Sequence, residues 1–331
     1  MRLKILDSFC KMAHGSRLTA NCVCKDELKI LICYNKPYTM PPANDYLLPI
    51  QSGKKISQYD LNIQSDCDIN GTPCDNISGK NACYGEFDVI YWAWKHIKKI
   101  YPDLKYIVYS QYRRLFAFDR YEKFRLAFPC NDSDILNYKV SPYELNEIKK
   151  ILDDGYIITV EPYYFYTSLK TQYNDFHVGT DYRILKDVIK NDFPDYYESF
   201  INIMEHNNRF IPLCLFAMTY NDFENYCEWL FDVLSRVEKK IHIEHYDTYQ
   251  KRVLAYMAER LFGVWLVKNN KKMFHRNIYF YDPNNKPFTE RNIIRRAGSL
   301  CKRFKEHLKI NFAFNLTRMN FSRAVIKIFS R

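Results

Sequence analysis

The chain has 331 residues, 47% hydrophobic and 26% charged, with only 9 Gly and 13 Pro, which excludes a disordered chain, a collagen-like chain and a repeat array. The aromatic fraction of 17% suits a large core and equally suits stacking surfaces for sugars or bases. The net charge of +11 is concentrated at one end, since residues 268–331 carry +13 and residues 1–267 carry −2. We therefore expect the tail to meet an anionic partner, either nucleic acid, acidic lipid or a charged glycan.

Short apolar runs predict three strands in chain order. The predicted strands cover residues 29–34, 106–109 and 156–160. A helix is predicted between the first two, from about residue 84 to 100, preceded by a cluster of capping residues at 75–81. This strand, helix, strand order predicts a parallel sheet and an α/β fold. Two further helices are predicted over 223–241 and 249–267, so the second half is expected to be mostly helical.

The spacing of the cysteines and the length of the apolar runs predict the cellular compartment of the protein. Eleven cysteines are scattered without a CxxC pair, which predicts free thiols in a reducing cytosol and no tetrahedral zinc site. No apolar run reaches the ~20 residues that span a bilayer, so no transmembrane segment is predicted. We expect a cytoplasmic protein.

Polar residues directly after the predicted strands are the first candidates for a binding site, because ligands of open α/β sheets lie at the carboxyl ends of strands. Tyr34, Asn35 and Lys36 follow the first strand, and Arg113 and Arg114 follow the second. Two adjacent arginines can grip phosphate oxygens, although one could equally pair with a structural carboxylate while the other faces water. Neither GxGxxG nor GxxxxGK[ST] occurs, so the sequence gives no support for a dinucleotide-binding or P-loop protein. GxSxG and HExxH are also absent, which weakens the hydrolase and zinc-protease interpretations.

Six blocks in this order resemble a known family. The blocks are residues 29–38, 75–81, Tyr84 with Glu86, 91–95, 111–114 and 226–231. Together they are similar to a group of bacterial glycosyltransferases encoded in capsule and O-antigen loci, long known only as a domain of unknown function. Some members of the group are galactofuranosyltransferases. The resemblance covers roughly residues 29–266.

The resemblance implies a GT-A-like nucleotide-sugar fold, with a Rossmann-like half for the nucleotide and a helical half for the acceptor. It also implies a set of donor-binding residues. These are Tyr34, Asn35, Lys36, Asp75, Asn76, Ser78, Asn81, Gln111, Tyr112, Arg113 and Arg114. Residues 111–114 would lie where GT-A enzymes usually carry an Asp-x-Asp metal motif, so Mn²⁺ or Mg²⁺ remains an open cofactor and the metal ligands are unknown. Without a metal, Arg113 and Arg114 are the natural substitutes for stabilising a departing diphosphate.

An inverting transfer needs a general base, for which carboxylates are the usual choice. Glu228 and Glu86 are the first candidates, since each lies near an apolar helix start where desolvation would raise its pKa, although each could instead be a dipole-stabilising or ion-paired carboxylate. His177 matches a family position and is a second candidate base or acceptor contact. Asp181 is a candidate acceptor contact, or else an N-cap.

The late helix and the departures from the family pattern add two expectations. Arg252 and Glu259 are seven residues apart and share a helix face, which fits an internal ion pair as well as a site.

The family mostly carries His where this chain has Gln111, Asn near Cys214 and Gly at Ala255. An amide in place of imidazole loses proton transfer but keeps hydrogen bonding, so we expect altered donor specificity.

The sequence thus predicts a leader at 1–28, a GT-A-like domain at 29–267 and a basic helical extension at 268–331 that could lie on anionic lipid or pack on its own core. The predicted function is transfer of a sugar, from UDP-galactofuranose or a related UDP-hexose, to a growing capsular polysaccharide or lipopolysaccharide on a polyprenyl carrier at the inner membrane face. One alternative is a pyranose donor. The other is a nucleic-acid-binding protein that uses the basic tail, against which the tail lacks a recognisable nucleic-acid motif.

Overall fold

The computed structural model describes residues 26–282, whose central feature is a nine-stranded mixed sheet. The strands, in chain order, are β1 (Leu28–Tyr34), β2 (Leu47–Gln51), β3 (Gln64–Ser65), β4 (Asp68–Ile69), β5 (Thr72–Pro73), β6 (Tyr106–Gln111), β7 (Arg114–Ala117), β8 (Ala127–Cys130), β9 (Tyr156–Val160), β10 (Tyr163–Tyr164), β11 (Arg209–Phe210), β12 (Phe216–Thr219) and β13 (Lys272–Tyr281). Two pairs stand outside the central sheet, β4 with β5 and β10 with β11.

One side of the sheet is parallel and the other is mixed. β1 pairs in parallel with β2 and with β6, and β2 pairs in parallel with β3. β12 lies antiparallel between β6 and β9. The predicted parallel pairing of the first two strands is confirmed, and the carboxyl ends of β1, β2 and β6 therefore meet at one edge.

Helices pack around the sheet. They are α1 (Asn81–Tyr84), α2 (Phe87–Ile100), α3 (Asp132–Leu136), α4 (Pro142–Asp153), α5 (Leu169–Phe176), α6 (Gly179–Asp192), α7 (Pro194–Glu205), α8 (Tyr220–Glu238) and α9 (Val253–Lys268). α4 packs against β9 and β12, and α8 packs against β6 and β12. α2 buries Phe87, Ile90 and Ile97 at helical spacing. α9 packs against α1, α7 and α8, which explains why apolar residues surround it on nearly every side.

The α/β class and the mostly helical second half are confirmed, but the predicted end of the domain is wrong. β13 lies in the central sheet, in parallel with β9 and β8 and antiparallel to β7. The basic residues Lys272 and Arg276 belong to this strand and not to a helical extension, because the apolar side chains between them pack into the sheet. The remainder of the predicted tail, residues 283–331, and the predicted leader, apart from residues 26–28, lie outside the described residues.

Two further expectations can be compared with residues 26–282. No helix in this part of the chain combines the length and apolarity needed to cross a bilayer. The seven cysteines within it are unpaired, and five of them lie in the core, namely Cys33, Cys83, Cys130, Cys214 and Cys227.

Candidate active site

Gln111, the last residue of β6, is the centre of a polar network at the carboxyl edge of the sheet. Its buried amide nitrogen donates to Glu86 Oε1 at 3.0 Å and to the Leu213 carbonyl at 3.2 Å. Its amide oxygen accepts a hydrogen bond from Arg114 Nη1 at 2.6 Å. An amide donates and accepts at the same time, so this one side chain links a carboxylate, a guanidinium and a backbone segment.

The network reaches the α9 region from two directions. Arg252, just before α9, donates from Nη2 to Glu86 Oε2 at 2.9 Å. The Leu213 N–H donates to Glu259 Oε1 at 2.5 Å. Arg252 precedes α9 while Glu259 lies within it, and each binds a different part of the network instead of pairing with the other. The Gln111 network consists of Glu86, Gln111, Arg114, Leu213, Arg252 and Glu259.

The backbone at Leu213 and Cys214 is held in the left-handed region, with φ of 73° and 48°. This conformation costs a non-glycine residue ~1–2 kcal/mol, and such strain is concentrated at functional sites. The hydrogen bonds to Gln111 and Glu259 hold the Leu213 peptide in place from both sides.

Gly85 allows Arg252 to reach Glu86. Its φ is +54°, and a Cβ there would lie 2.8 Å from Arg252 Nη2. We expect Gly85→Ala to lower the free energy of unfolding by ~2–4 kcal/mol, because backbone strain and displacement of Arg252 add together. Gly155→Ala is the matched control in urea denaturation, since Gly155 also has a positive φ, +81°, but has no atom within 4 Å of its Cβ position. Equal losses in the two variants would show that Arg252 does not depend on Gly85.

The Arg113–Arg114 pair has unused hydrogen-bonding capacity. Arg113 donates from Nε to the Tyr281 carbonyl at 3.3 Å and lies over the Phe280 ring, whereas Arg114 binds Gln111. Within residues 26–282, neither guanidinium forms an ion pair with a carboxylate. Burial lowers the pKa of Arg114, which shows that its charge is partly desolvated. The structure therefore leaves two half-buried cations at the end of β6.

Tyrosines line the same edge beside these cations. The Tyr38 and Tyr112 rings are stacked, with centroids 4.7 Å apart and planes 12° apart. Tyr34 is fully buried at the end of β1, 5.9 Å from Tyr112 between ring centroids, and its hydroxyl has no hydrogen-bond partner among the described residues. Asn35 and Lys36 follow it on the exposed surface.

Ser78 and Asn81, two predicted donor-binding residues, instead donate hydrogen bonds to two buried carboxyl groups, those of Asp66 and Asp88. The Gly53 N–H donates to Asp66 Oδ2 at 2.8 Å and to Asp88 Oδ2 at 2.9 Å. Ser78 Oγ donates to Asp66 at 2.7 Å, and Asn81 Nδ2 donates to Asp88 at 2.6 Å. Burial and the neighbouring Asp66 raise the pKa of Asp88 well above its usual range. These side chains fix the loop after β2 and have no described contact with the Arg113–Arg114 pair.

Asp75 and Asn76 also bind within their own part of the chain. Asp75 is exposed and accepts a hydrogen bond from the Tyr91 hydroxyl at 2.9 Å. Asn76 donates to the Cys74 carbonyl at 2.6 Å. The N-cap of α2 is Glu86 and makes no side-chain cap bond, so the prediction that residues 75–81 cap this helix is wrong.

Glu228, the first candidate base, is not brought to the network. It lies on the exposed side of α8, since Tyr226, Cys227, Trp229 and Leu230 around it take the buried positions. The expected desolvation of Glu228 is therefore wrong. Within the described residues, no hydrogen bond or ion pair joins it to the Gln111 network.

His177 and Asp181 differ from their expected roles. Burial and the nearby Arg260 lower the pKa of His177 to about 4, so it is a weak base at neutral pH. Asp181 is 2% exposed and accepts the Tyr246 hydroxyl on both carboxylate oxygens, at 3.0 and 2.9 Å, which leaves it unavailable to an acceptor. It is not an N-cap either, because Val178 occupies that position of α6.

Glu86 alone of the three candidate catalytic residues lies in the network, and Glu259 joins it there. Burial raises the pKa of Glu259. Glu259 also lines a cavity of about 110 Å³ beside Arg260 and Gly263. The sequence contains only a weak signal for this residue, the face that it shares with Arg252.

The described carboxylates do not form a metal site. Two Asp-x-Asp pairs occur, but Asp66 is buried against Asp88, and Asp134 caps α3 by accepting the Asn131 N–H at 2.9 Å. Among residues 26–282, no group of three His, Cys, Asp or Glu side chains could hold a metal ion. Asp66 and Asp134 are thus already engaged in hydrogen bonds, and the described residues do not fit a Mg²⁺ or Mn²⁺ site formed by protein ligands alone.

Comparison with known proteins gives a family and a fold. Residues 29–271 match the family described as a domain of unknown function, DUF4422. No curated protein matches the sequence significantly. Among solved structures, the apo structure of WbbM, a bifunctional glycosyltransferase, is similar with a TM-score of 0.61 and 22% identity over 80% of this chain and 48% of that chain. The chain thus spans about half the length of WbbM and shares a fold with it.

Proposed function

This chain belongs to the DUF4422 family, and we propose that it is a glycosyltransferase that moves a sugar from a nucleoside diphosphate to a glycan acceptor. The Arg113–Arg114 pair carries the proposal. A departing nucleoside diphosphate develops negative charge, and two cations that form no ion pair within residues 26–282, at the carboxyl ends of the parallel strands β1 and β6, can stabilise it. The fold shared with a glycosyltransferase structure supports the same reaction class.

Each part of the site has a role in this proposal. Arg113 and Arg114 bind the diphosphate, and the stacked Tyr38 and Tyr112 border the position of the nucleoside. Glu259 accepts the proton of the acceptor hydroxyl, because its desolvated carboxylate is more basic than an exposed one. Gln111 positions Arg114 and fixes the strained Leu213 segment.

We also propose the finer assignments that the family resemblance implies. The donor is UDP-galactofuranose or a related UDP-hexose, and the anomeric carbon is inverted. The acceptor is a growing capsular polysaccharide or lipopolysaccharide on a polyprenyl lipid, reached from the cytoplasmic face of the membrane. These assignments rest on the six sequence blocks, whereas Gln111 in place of the family His favours the related UDP-hexose over the donor of other members.

Nucleotide binding tests the proposal directly. We expect UDP, with or without Mn²⁺, to raise the melting temperature of the wild type more than GDP or CMP does. We expect Arg113→Ala and Arg114→Ala each to weaken UDP binding ~10- to 100-fold by calorimetry, because each removes charge-assisted hydrogen bonds. Arg113→Lys and Arg114→Lys keep the charge but lose the bidentate geometry, so their UDP affinity should lie between that of the wild type and that of the alanine variants.

Arg183→Ala is the matched control. Arg183 is exposed on α6 and donates to Thr180, so its removal subtracts a positive charge without touching the site. Its UDP affinity should equal that of the wild type. A wild type that binds none of the nucleotides, or alanine variants of the pair that bind UDP normally, would contradict the proposal.

A further inference from the structure

Three aromatic rings form an exposed surface at the start of α9. The His177 ring stacks on Tyr256, with centroids 4.1 Å apart, and on Tyr249, with centroids 5.6 Å apart. Tyr249 and Tyr256 are 5.2 Å from each other, and Tyr249 is 52% exposed. His177, Tyr249 and Tyr256 are the aromatic platform below. A ring left half-exposed on two supporting rings has a preorganised face for a ligand.

The aromatic platform is continuous with the Gln111 network. Tyr249 and Arg252 lie in the segment just before α9, and Tyr256 and Glu259 lie within α9. Rings and network charges therefore alternate along residues 249–259, with Arg252 bound to Glu86 and Glu259 bound to Leu213.

Local contacts hold the histidine ring in place. Gln250 Nε2 donates to the Phe176 carbonyl at 2.9 Å, which ties the end of α5 to the segment before α9. Burial and Arg260 lower the pKa of His177 to about 4, so its imidazole is neutral at pH 7. Its Nδ1 is buried without a hydrogen-bond partner among the described residues. His177 thus serves as a flat neutral ring under Tyr249.

We propose that the aromatic platform binds a sugar ring of the glycan acceptor, with the C–H face of the sugar against Tyr249. A sugar has an apolar C–H face and a hydroxyl rim, which match an exposed ring beside the charged Arg252. The donor diphosphate is assigned to Arg113 and Arg114, and Arg114 is linked to Arg252 beside the platform through Gln111 and Glu86. This inference rests on the proposed function, because the acceptor is the second sugar of that reaction.

Saturation-transfer NMR on the full chain tests the platform with defined probes, namely octyl β-D-galactofuranoside, octyl β-D-galactopyranoside and octyl β-D-glucopyranoside. We expect saturation on the ring protons of at least one sugar with the wild type. In Tyr249→Ala, affinity for that glycoside should fall about 5- to 10-fold, the loss expected for one aromatic contact. Tyr249→Phe keeps the ring and should retain the signal.

Tyr143→Ala is the control, since Tyr143 is 72% exposed on α4, away from the network, and its loss should change nothing. Saturation confined to the octyl chain, or sugar signals equal in Tyr249→Ala and the wild type, would overturn the inference. UDP binding measured on the same samples separates the two proposals: UDP binding without sugar saturation overturns the platform alone, and sugar saturation lost in Tyr249→Ala supports it even if no nucleotide binds.

Discussion

Glu259→Gln is expected to lower kcat for UDP-sugar turnover ~100- to 10,000-fold, the usual contribution of a general base. The Leu213 N–H engages Oε1 of this carboxylate, and no described hydrogen bond engages Oε2. Glutamine keeps the size of the side chain but accepts no proton at neutral pH. UDP affinity should remain within about twofold of the wild type, because the diphosphate is assigned to other residues.

Glu86→Gln is the comparison that separates a base from a positioning residue. Both oxygens of Glu86 are already engaged, by Gln111 and by Arg252, so its replacement should misplace these partners and cost only ~10-fold in kcat. UDP release measured against pH provides the second readout. Because burial raises the pKa of Glu259 and a base must be ionised, the wild-type rate should fall as pH drops through that pKa, and Glu259→Gln should lack this limb. A larger loss in Glu86→Gln than in Glu259→Gln would identify Glu86 as the base.

Strands β1, β6 and β9 could be predicted because each carries its own local signal. Residues 29–34 and 156–160 are apolar runs that end at a polar or proline segment, and β1 and β9 form there. β13 carries such a run only at residues 278–281, before Asp282 and Pro283, and its first half has none. Its basic residues resemble those of the following tail, and only long-range pairing with β7, β8 and β9 makes residues 272–281 a strand.

The candidate site could be predicted only in part, for a similar reason. Gln111 and Arg114 follow a buried strand, and the rule that ligands lie at carboxyl ends finds them directly. Leu213 contributes only its backbone carbonyl and N–H to the network, and no pattern of side chains in the sequence predicts such a contact. Glu228 shows the opposite error, because its apolar neighbours suggest burial while the helical period turns Glu228 itself outward.

The Asp66 and Asp88 pair should make the stability of the protein fall as pH rises. Both side chains are fully buried, and the Gly53 N–H binds an oxygen of each, so two negative charges would lie side by side without a cation. Since the pKa of Asp88 is raised in the folded state, the folded protein binds more protons than the unfolded chain above pH ~4. This group alone should lower the free energy of unfolding by up to ~1.4 kcal/mol per pH unit until its folded-state pKa is passed.

Urea denaturation from pH 5 to 8 measures this effect as a difference between variants. In Asp88→Asn the downward slope contributed by this carboxyl should disappear, because the amide keeps the shape and does not titrate. Asp88→Ala should also lack this slope and should cost ~3–5 kcal/mol at pH 5, since Ser52, Gly53 and Asn81 each lose an acceptor. Asp60→Asn is the control: Asp60 is exposed and its pKa is lowered by Lys54, so it stays ionised in this range and the wild-type slope should persist. Equal slopes in the wild type and in Asp88→Asn would show that the pair shares no proton and that its hydrogen bonds alone stabilise two charges.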